Sequence, residues 1–244
     1  MYEALTDFSD IYTAYRRTAR GKHGKNEVIK YENNLHMQLW WLQERMVNRT
    51  FHIGGYHKFM IYDNAACREG KGTHFAMGRL EGFLRDYYKK YGNKGYFLKF
   101  DIRKYFDSIC HDVLKKKLER FPDEEVRTLL YHIIDSYEHS ENRGVPMGNQ
   151  SSQWFALYYL DRLDRLIKER LKVKYYVRYM DDGVLIHNDK EFLKKALAKM
   201  KELVEEDGLE FNSKTQIFPI SQGVDFLGLL LMKSHRVSEV IMDI

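Results

Sequence analysis

Carboxylates crowd two short stretches of this chain. In "YYVRYMDDGVLIH" (175–187) Asp181 and Asp182 stand side by side within otherwise apolar and aromatic sequence, and in "FLKFDIRKYFDSI" (97–109) Asp101 ends an apolar run. Two charges ~4 Å apart repel by roughly 1 kcal/mol in water and roughly 4 at an effective dielectric of 20. The Asp182-Gly183 pair is a two-residue turn signal between strand-like runs, which predicts a hairpin. That turn explains Asp182 and Gly183 but not Asp181, whereas a bound divalent cation would. If the strand ending at Asp101 lies beside this hairpin, three carboxylates converge at one sheet edge, and they cannot share a small site uncompensated. Magnesium suits such a set, since it takes carboxylate oxygens and keeps places for water and substrate phosphates. Two such ions can activate an attacking hydroxyl and stabilise a leaving pyrophosphate, so the arrangement is a candidate phosphoryl-transfer site. The plainer alternative is that each Asp caps a turn at a strand end.

The elements that must position these residues are legible as alternating strands and helices. Val28, Tyr31, Leu35, Leu39, Leu42 and Met46 recur at three- and four-residue steps and predict one amphipathic helix over 27–49. "FHIGGYHKFMIY" (51–62) reads as a strand pair turning at Gly54-Gly55, followed by a loop and a helix over 75–90. "YFLKFDI" (96–102) is a strand, Asp107 is placed to cap the next helix, and helices follow over 112–120 and 124–137. Ser151 can cap a helix over 151–171, with Phe155, Leu160, Leu163, Leu166 and Ile167 on its buried side. Beyond the hairpin, Asn188 or Asp189 caps a helix burying Leu193, Leu197, Met200 and Val204; "LEFN" and "VDFLGLLLM" close the chain as strands. The pattern predicts an α+β fold, an antiparallel sheet packed on one side by helices.

Composition narrows the class. The 244 residues are 44% hydrophobic and 31% charged, as in a soluble globular protein, and no apolar run approaches the ~20 residues of a membrane span. "MYEALTDFSD" lacks the basic segment and apolar core of a secretory signal, and Cys67 and Cys110 belong to no paired spacing, so a reduced cytoplasmic setting is expected. No His or Cys spacing reads as a zinc site. Basic clusters at 15–25 and 68–74, together with 18 Tyr, suit a nucleic-acid partner. "GKGT" at 70–73 lacks the glycine spacing of a phosphate loop.

"YMDD" at 179–182 between two strands, preceded in order by "DIRKYFDSI" and "GVPMGNQSSQ", resembles the reverse transcriptases of bacterial mobile elements. The resemblance runs from "NNLHMQLWWLQERMVNRTF" to "LEFNSKTQIFPISQGVDFLG" and is of the diversity-generating, retron and group II intron-like type. It implies a right-hand polymerase, with a reduced fingers region over 1–95 and a palm over 96–244. Asp101 and Asp181 would hold two magnesium ions (manganese being the alternative), supported by Asp182 and by the backbone carbonyl of Ile102. Tyr105 and Phe106 fall at the nucleotide site, where a ring under the sugar leaves no room for a 2′-hydroxyl. Met147, Gly148 and Gln153 fall in the loop beneath the incoming nucleotide and template base. An apolar residue at the Met147 position accompanies error-prone copying opposite template adenine in the diversity-generating group. Lys214 matches a lysine near the triphosphate, which would protonate the leaving pyrophosphate. Phe226, Leu227 and Gly228 match the segment gripping the primer end. Arg68 and Lys71 would meet template or nucleotide phosphate.

Two departures from the family pattern stand out. Tyr62 runs straight into "DNAACREGKGTH", so a few dozen residues of the fingers are expected to be missing, and the chain stops at Ile244, where a basic helical thumb would begin. The expected partners are an RNA template, a DNA or RNA primer, deoxynucleoside triphosphates and an accessory protein. The rival reading is a catalytically weak nucleic-acid-binding remnant. A cyclase acting on free nucleotides is disfavoured, because such enzymes carry a Gly-Gly-Asp/Glu hairpin in place of Tyr-Met-Asp-Asp.

Overall fold

The computed structural model describes residues 2–52, 72–147 and 149–231. Along the chain come α1 (Tyr2–Leu5), α2 (Phe8–Ala19), α3 (Asn26–Glu32), α4 (Leu35–Val47), α5 (Thr73–Tyr91), β1 (Tyr96–Phe100), α6 (Tyr105–Ser108), α7 (His111–Leu118) and α8 (Glu124–Asp135). Then follow α9 (Gln150–Tyr159), α10 (Asp161–Arg165), a π-helical turn (Leu166–Arg170), β2 (Tyr175–Tyr179), β3 (Asp182–His187), α11 (Lys190–Glu206), β4 (Gln216–Pro219), β5 (Val224–Phe226) and β6 (Leu229–Leu231). The chain divides into two compact units, residues 1–58 with 118–136, and 59–117 with 137–244.

The first unit is helical. Its predicted long helix is two helices, because Asn33 and Asn34 interrupt it: Asn33 closes α3 through its N–H to the Ile29 carbonyl, and Asn34 (φ −131°, ψ 35°) is non-helical. Asparagine side chains favour such breaks by competing for backbone hydrogen bonds. Asp7 caps α2 and Asp123 caps α8, each accepting from backbone N–H groups of the first turn. Tyr2 donates to the Met46 carbonyl at 2.7 Å and Gln43 to the Thr6 carbonyl at 2.9 Å, tying the ends of α1 and α4 together.

The second unit is built on a four-stranded antiparallel sheet in the order β2-β3-β1-β4. Tyr175, Val177, Val184, Ile186 and Phe97 face α5, burying its Ala76, Met77, Leu80, Leu84 and Tyr87 in one core with Val224 and Phe226. Leu98 and Leu185 are just as buried but lie on the alternate face, where α11 packs on β1, β3 and β4 through Leu193, Ala196, Met200 and Val204. Helices therefore cover both faces, not the single face predicted. The adjacent buried pair Phe97-Leu98 in β1 is the sequence mark of that double burial.

Other boundaries shift as well. Leu197, predicted inward on α11, is only half-buried, its place taken by Ala196. The 151–171 helix is broken at Leu160 (φ −89°, ψ 8°), and Asn149, not Ser151, occupies the position before α9. Asp107 lies inside α6 instead of capping a helix, and its carboxylate faces His139 at 3.5 Å. "LEFN" forms only the single bridge Phe211 to Ile102, and the strand beside β1 is the unpredicted "QIFP" of β4. The predicted strand pair over 51–62 falls almost wholly outside the described residues. No described helix is long and apolar enough to cross a membrane.

Candidate active site

Two turns and one short brace make the site. β2 and β3 pair through Tyr179 opposite Asp182, so the two-residue turn is Met180-Asp181 and not the predicted Asp182-Gly183. Met180 takes the left-handed conformation (φ 53°), which costs a non-glycine residue about 1–3 kcal/mol and concentrates at functional sites. Gly183 has another purpose. It lies in one cross-strand row with Arg178 and Phe100, and a Cβ there would come within 2.2 Å of the Phe100 ring. The glycine makes room for an aromatic ring, and the aspartate makes the turn.

Asp101 follows the last residue of β1 and is fixed by the segment beyond α11. Asn212 donates from Nδ2 to Asp101 Oδ2 at 2.9 Å, and its backbone N–H reaches the Asp101 carbonyl at 2.7 Å. Thr215 Oγ1 accepts from the Asp101 N–H at 3.4 Å. Asp101 and Asp181 meet. Burial pushes the Asp181 carboxyl up to about 6, and the charge of Asp101 and a hydrogen bond with its carboxyl add to the rise. Asp182 is also raised to about 6, chiefly by burial, against the opposing pull of Lys99 and of the Leu227 backbone N–H.

Asp182 faces a different set of neighbours. Its Oδ2 lies 3.7 Å from Lys99 Nζ, which also donates to the Asp225 carbonyl at 2.6 Å. Its Oδ1 is buried and has no hydrogen-bond partner. An orphaned buried carboxylate oxygen costs free energy unless something positive reaches it. An open cleft of about 710 Å³ is lined by Asp101, Asp182, Lys99, Lys214, Gln216 and Asp225, among others. Lys214 is on the same cleft wall as these carboxylates, and its backbone N–H donates to Asn212 Oδ1 at 3.1 Å. The facing carboxyls and the orphaned oxygen fit a hard divalent cation. Among the described residues no three carboxylate, imidazole or thiolate groups stand ready-made as a ligand cluster, so water and substrate oxygens would complete the shell.

Phe106 is half-buried, and its carbonyl accepts from the Val145 N–H at 3.0 Å, which ties α6 to the loop carrying the strongly exposed Met147. Gln153 is half-buried in the first turn of α9. Tyr105 does not reach the cleft: it is buried and its hydroxyl donates to the Ala156 carbonyl. Ile102 follows Asp101 and pairs with Phe211 in an isolated antiparallel bridge, with its side chain buried. Phe226 is a core residue, and Leu227 and Gly228 form the two-residue turn of the β5–β6 hairpin, both at positive φ (56° and 78°), so the predicted single strand is a hairpin. Arg68, Lys71 and Gly148 lie outside the described residues.

Sequence reasoning passed over Asn212 and Arg178. Arg178 Nε and Nη2 fork onto Asp164 Oδ1 and Oδ2 at 2.9 and 2.5 Å, Tyr176 donates to Asp164 Oδ1 at 2.6 Å, and Arg178 Nη1 donates to the Met180 carbonyl at 2.6 Å. The available signal was an arginine inside the apolar strand "YYVRY", a position that demands a buried partner.

Among known proteins, the putative COX1/OXI3 intron 2 protein of Saccharomyces cerevisiae is 29% identical over 122 residues, covering 46% of this chain and 14% of that protein. The chain therefore spans about one seventh of the length of this curated relative. Telomerase from Candida tropicalis, solved in complex with a TWJ fragment of telomeric RNA, superposes with a TM-score of 0.51 at 18% identity, covering 65% of this chain and 32% of that one. Telomerase from Candida albicans with the same kind of fragment gives 0.49 at 17% identity, covering 65% and 33%. The Candida tropicalis likeness agrees with the α+β architecture described above. Residues 35–231 match the family described as reverse transcriptase (RNA-dependent DNA polymerase), and with that match spanning most of its length this chain belongs to the reverse transcriptase family.

Proposed function

We propose that this chain adds deoxynucleotides to a primer 3′-hydroxyl on an RNA template by two-metal phosphoryl transfer, as the polymerase of a retroelement of the bacterial type whose motifs it resembles. The observation that carries this reading is the contact between the Asp181 carboxyl and that of Asp101, which lines a cleft together with Asp182 and Lys214. Asp101 and Asp181, with the Ile102 carbonyl, would hold the ions. When bound, magnesium acidifies the attacking hydroxyl and neutralises charge on the leaving pyrophosphate. Asn212 holds the Asp101 carboxylate in one orientation, which spares the reaction that ordering cost. Lys99 offsets part of the charge of Asp182, whose role is support. Lys214 supplies a proton to the departing pyrophosphate, and Phe106, held against the 145–147 loop, excludes the 2′-hydroxyl. Residues 1–95 serve as fingers and 96–244 as palm, with Phe226, Leu227 and Gly228 at the primer end, in a cytoplasmic setting.

Primer extension by the purified chain on an RNA template tests this. Magnesium-dependent incorporation is expected, and Asp181→Asn should lower it by about a thousandfold or more. RNA binding with no incorporation by the wild-type chain would favour the nucleic-acid-binding remnant instead.

A further inference from the structure

The Met180-Asp181 turn has no glycine, yet Met180 sits in the left-handed region that favours one. Such a conformation persists where surrounding groups over-determine it. The group in contact with it is the Arg178 guanidinium, whose side chain is only 7% exposed. Two of its nitrogens are committed to Asp164, anchored on α10, and Tyr176 steadies the same carboxylate. That fork fixes the plane of the guanidinium, so the third nitrogen, Nη1, points in a set direction and meets the Met180 carbonyl. The carbonyl shares a rigid peptide plane with the Asp181 nitrogen. Fixing its direction fixes how the chain enters Asp181, and hence where that carboxylate points.

We propose that Arg178 is a positioning residue, which holds the Met180 carbonyl and thereby presents the Asp181 carboxylate to Asp101. The proposal rests on the polymerase reading for its kinetic consequence, but its structural consequence stands apart from it. Lysine keeps the charge but lacks the fork, so it cannot grip Asp164 with two nitrogens and the carbonyl with a third.

The test is Arg178→Lys, read by deuterium exchange and by single-nucleotide kinetics. Exchange of the 179–183 amides should rise about tenfold, with β1 and α11 unchanged, as local opening predicts. Turnover should fall by about ten- to a hundredfold while the primer–template KM stays within about twofold, since misplacement of a reacting group is felt in kcat. Adding Met180→Gly, which accepts positive φ without strain, should return about tenfold of the lost turnover. Should Arg178→Lys fail to fold, Tyr176→Phe removes one support of Asp164 and should raise exchange in 179–183 by a smaller, still local, factor. Unchanged exchange in 179–183, or a rise spread evenly over the sheet, would overturn the proposal and leave Arg178 as an ordinary buried ion pair. If the wild-type chain incorporates nothing, the polymerase reading falls, and the exchange result still decides the role of Arg178.

Discussion

The two hairpins that border Asp182 solve the same geometric problem in opposite ways. The β5–β6 turn, Leu227-Gly228, places both residues at positive φ (56° and 78°), with a non-glycine first and a glycine, which takes that conformation freely, second. The β2–β3 turn likewise has a left-handed non-glycine first, Met180 (φ 53°), but carries an aspartate second, where β5–β6 has its glycine. A guanidinium, a carboxylate and a phenol from the strand and from α10 brace it. A turn that only reverses the chain can take the residue the backbone prefers. A turn that presents a charged group gives up that residue, and neighbouring side chains make good the lost preference.

The contrast can be sharpened by substitution. In the braced turn Asp181→Asn removes about three powers of ten from incorporation, whereas Leu227→Ala in the self-sufficient turn should cost less than about tenfold, because only a positioning contact is trimmed. The glycines of the two hairpins should differ for separate reasons. Gly183→Ala drives a Cβ to 2.2 Å from the Phe100 ring and should cost about 3 kcal/mol, the upper end of overpacking. Gly228→Ala meets nothing within 4 Å and suffers only from its φ of 78°, about 1 kcal/mol. At about 2–4 °C per kcal/mol for a chain of this size, thermal melts separate the two. Asn212→Ala frees the Asp101 carboxylate without moving β1, and steady-state kinetics should show turnover down about tenfold with melting lowered by only a few degrees.

The smallest effect is a pH dependence of the ion-free protein. Asp181 and Asp182 titrate near 6 when folded against 3.8 in the absence of the fold, so between those values the folded chain binds more protons than the unfolded one. Their contribution to stability therefore declines as pH rises from about 4 to about 6, and magnesium, which selects the ionised carboxylates, reverses the decline. Asp181→Asn should flatten this slope and raise the ion-free melting temperature at pH 7 by about 2–4 °C, equivalent to about 1 kcal/mol. A calorimetric series over that pH range checks both the sign and the size.

Much of this was legible in the sequence, and the failures have identifiable causes. Periodicity located α5, α8 and α11 and the three strands β1, β2 and β3, because long apolar stripes and alternation are local properties. The meeting of Asp101 with the Tyr-Met-Asp-Asp turn was expected from motif order. The turn was misplaced by two residues because Asp-Gly is a good turn pair in isolation, and nothing local reveals that Gly183 must clear Phe100, 83 residues earlier in the chain. β4 was missed because four residues, two exposed and two half-buried, ending at Pro219 carry little strand signal until β1 lies beside them. Asn212 and Arg178 escaped for the same reason. Their partners, Asp101 and Asp164, lie 111 and 14 residues away, and only folding shows that each polar side chain is spoken for.

Calorimetric titration of manganese into the nucleotide-free chain reaches the central claim without relying on catalysis. If Asp101 and Asp181 form one joint site, the wild-type protein binds the ion, and Asp101→Asn and Asp181→Asn each abolish that binding, with the double variant no worse than either. Retention of wild-type affinity in Asp101→Asn, or additive partial losses in the two single variants, would contradict a shared site.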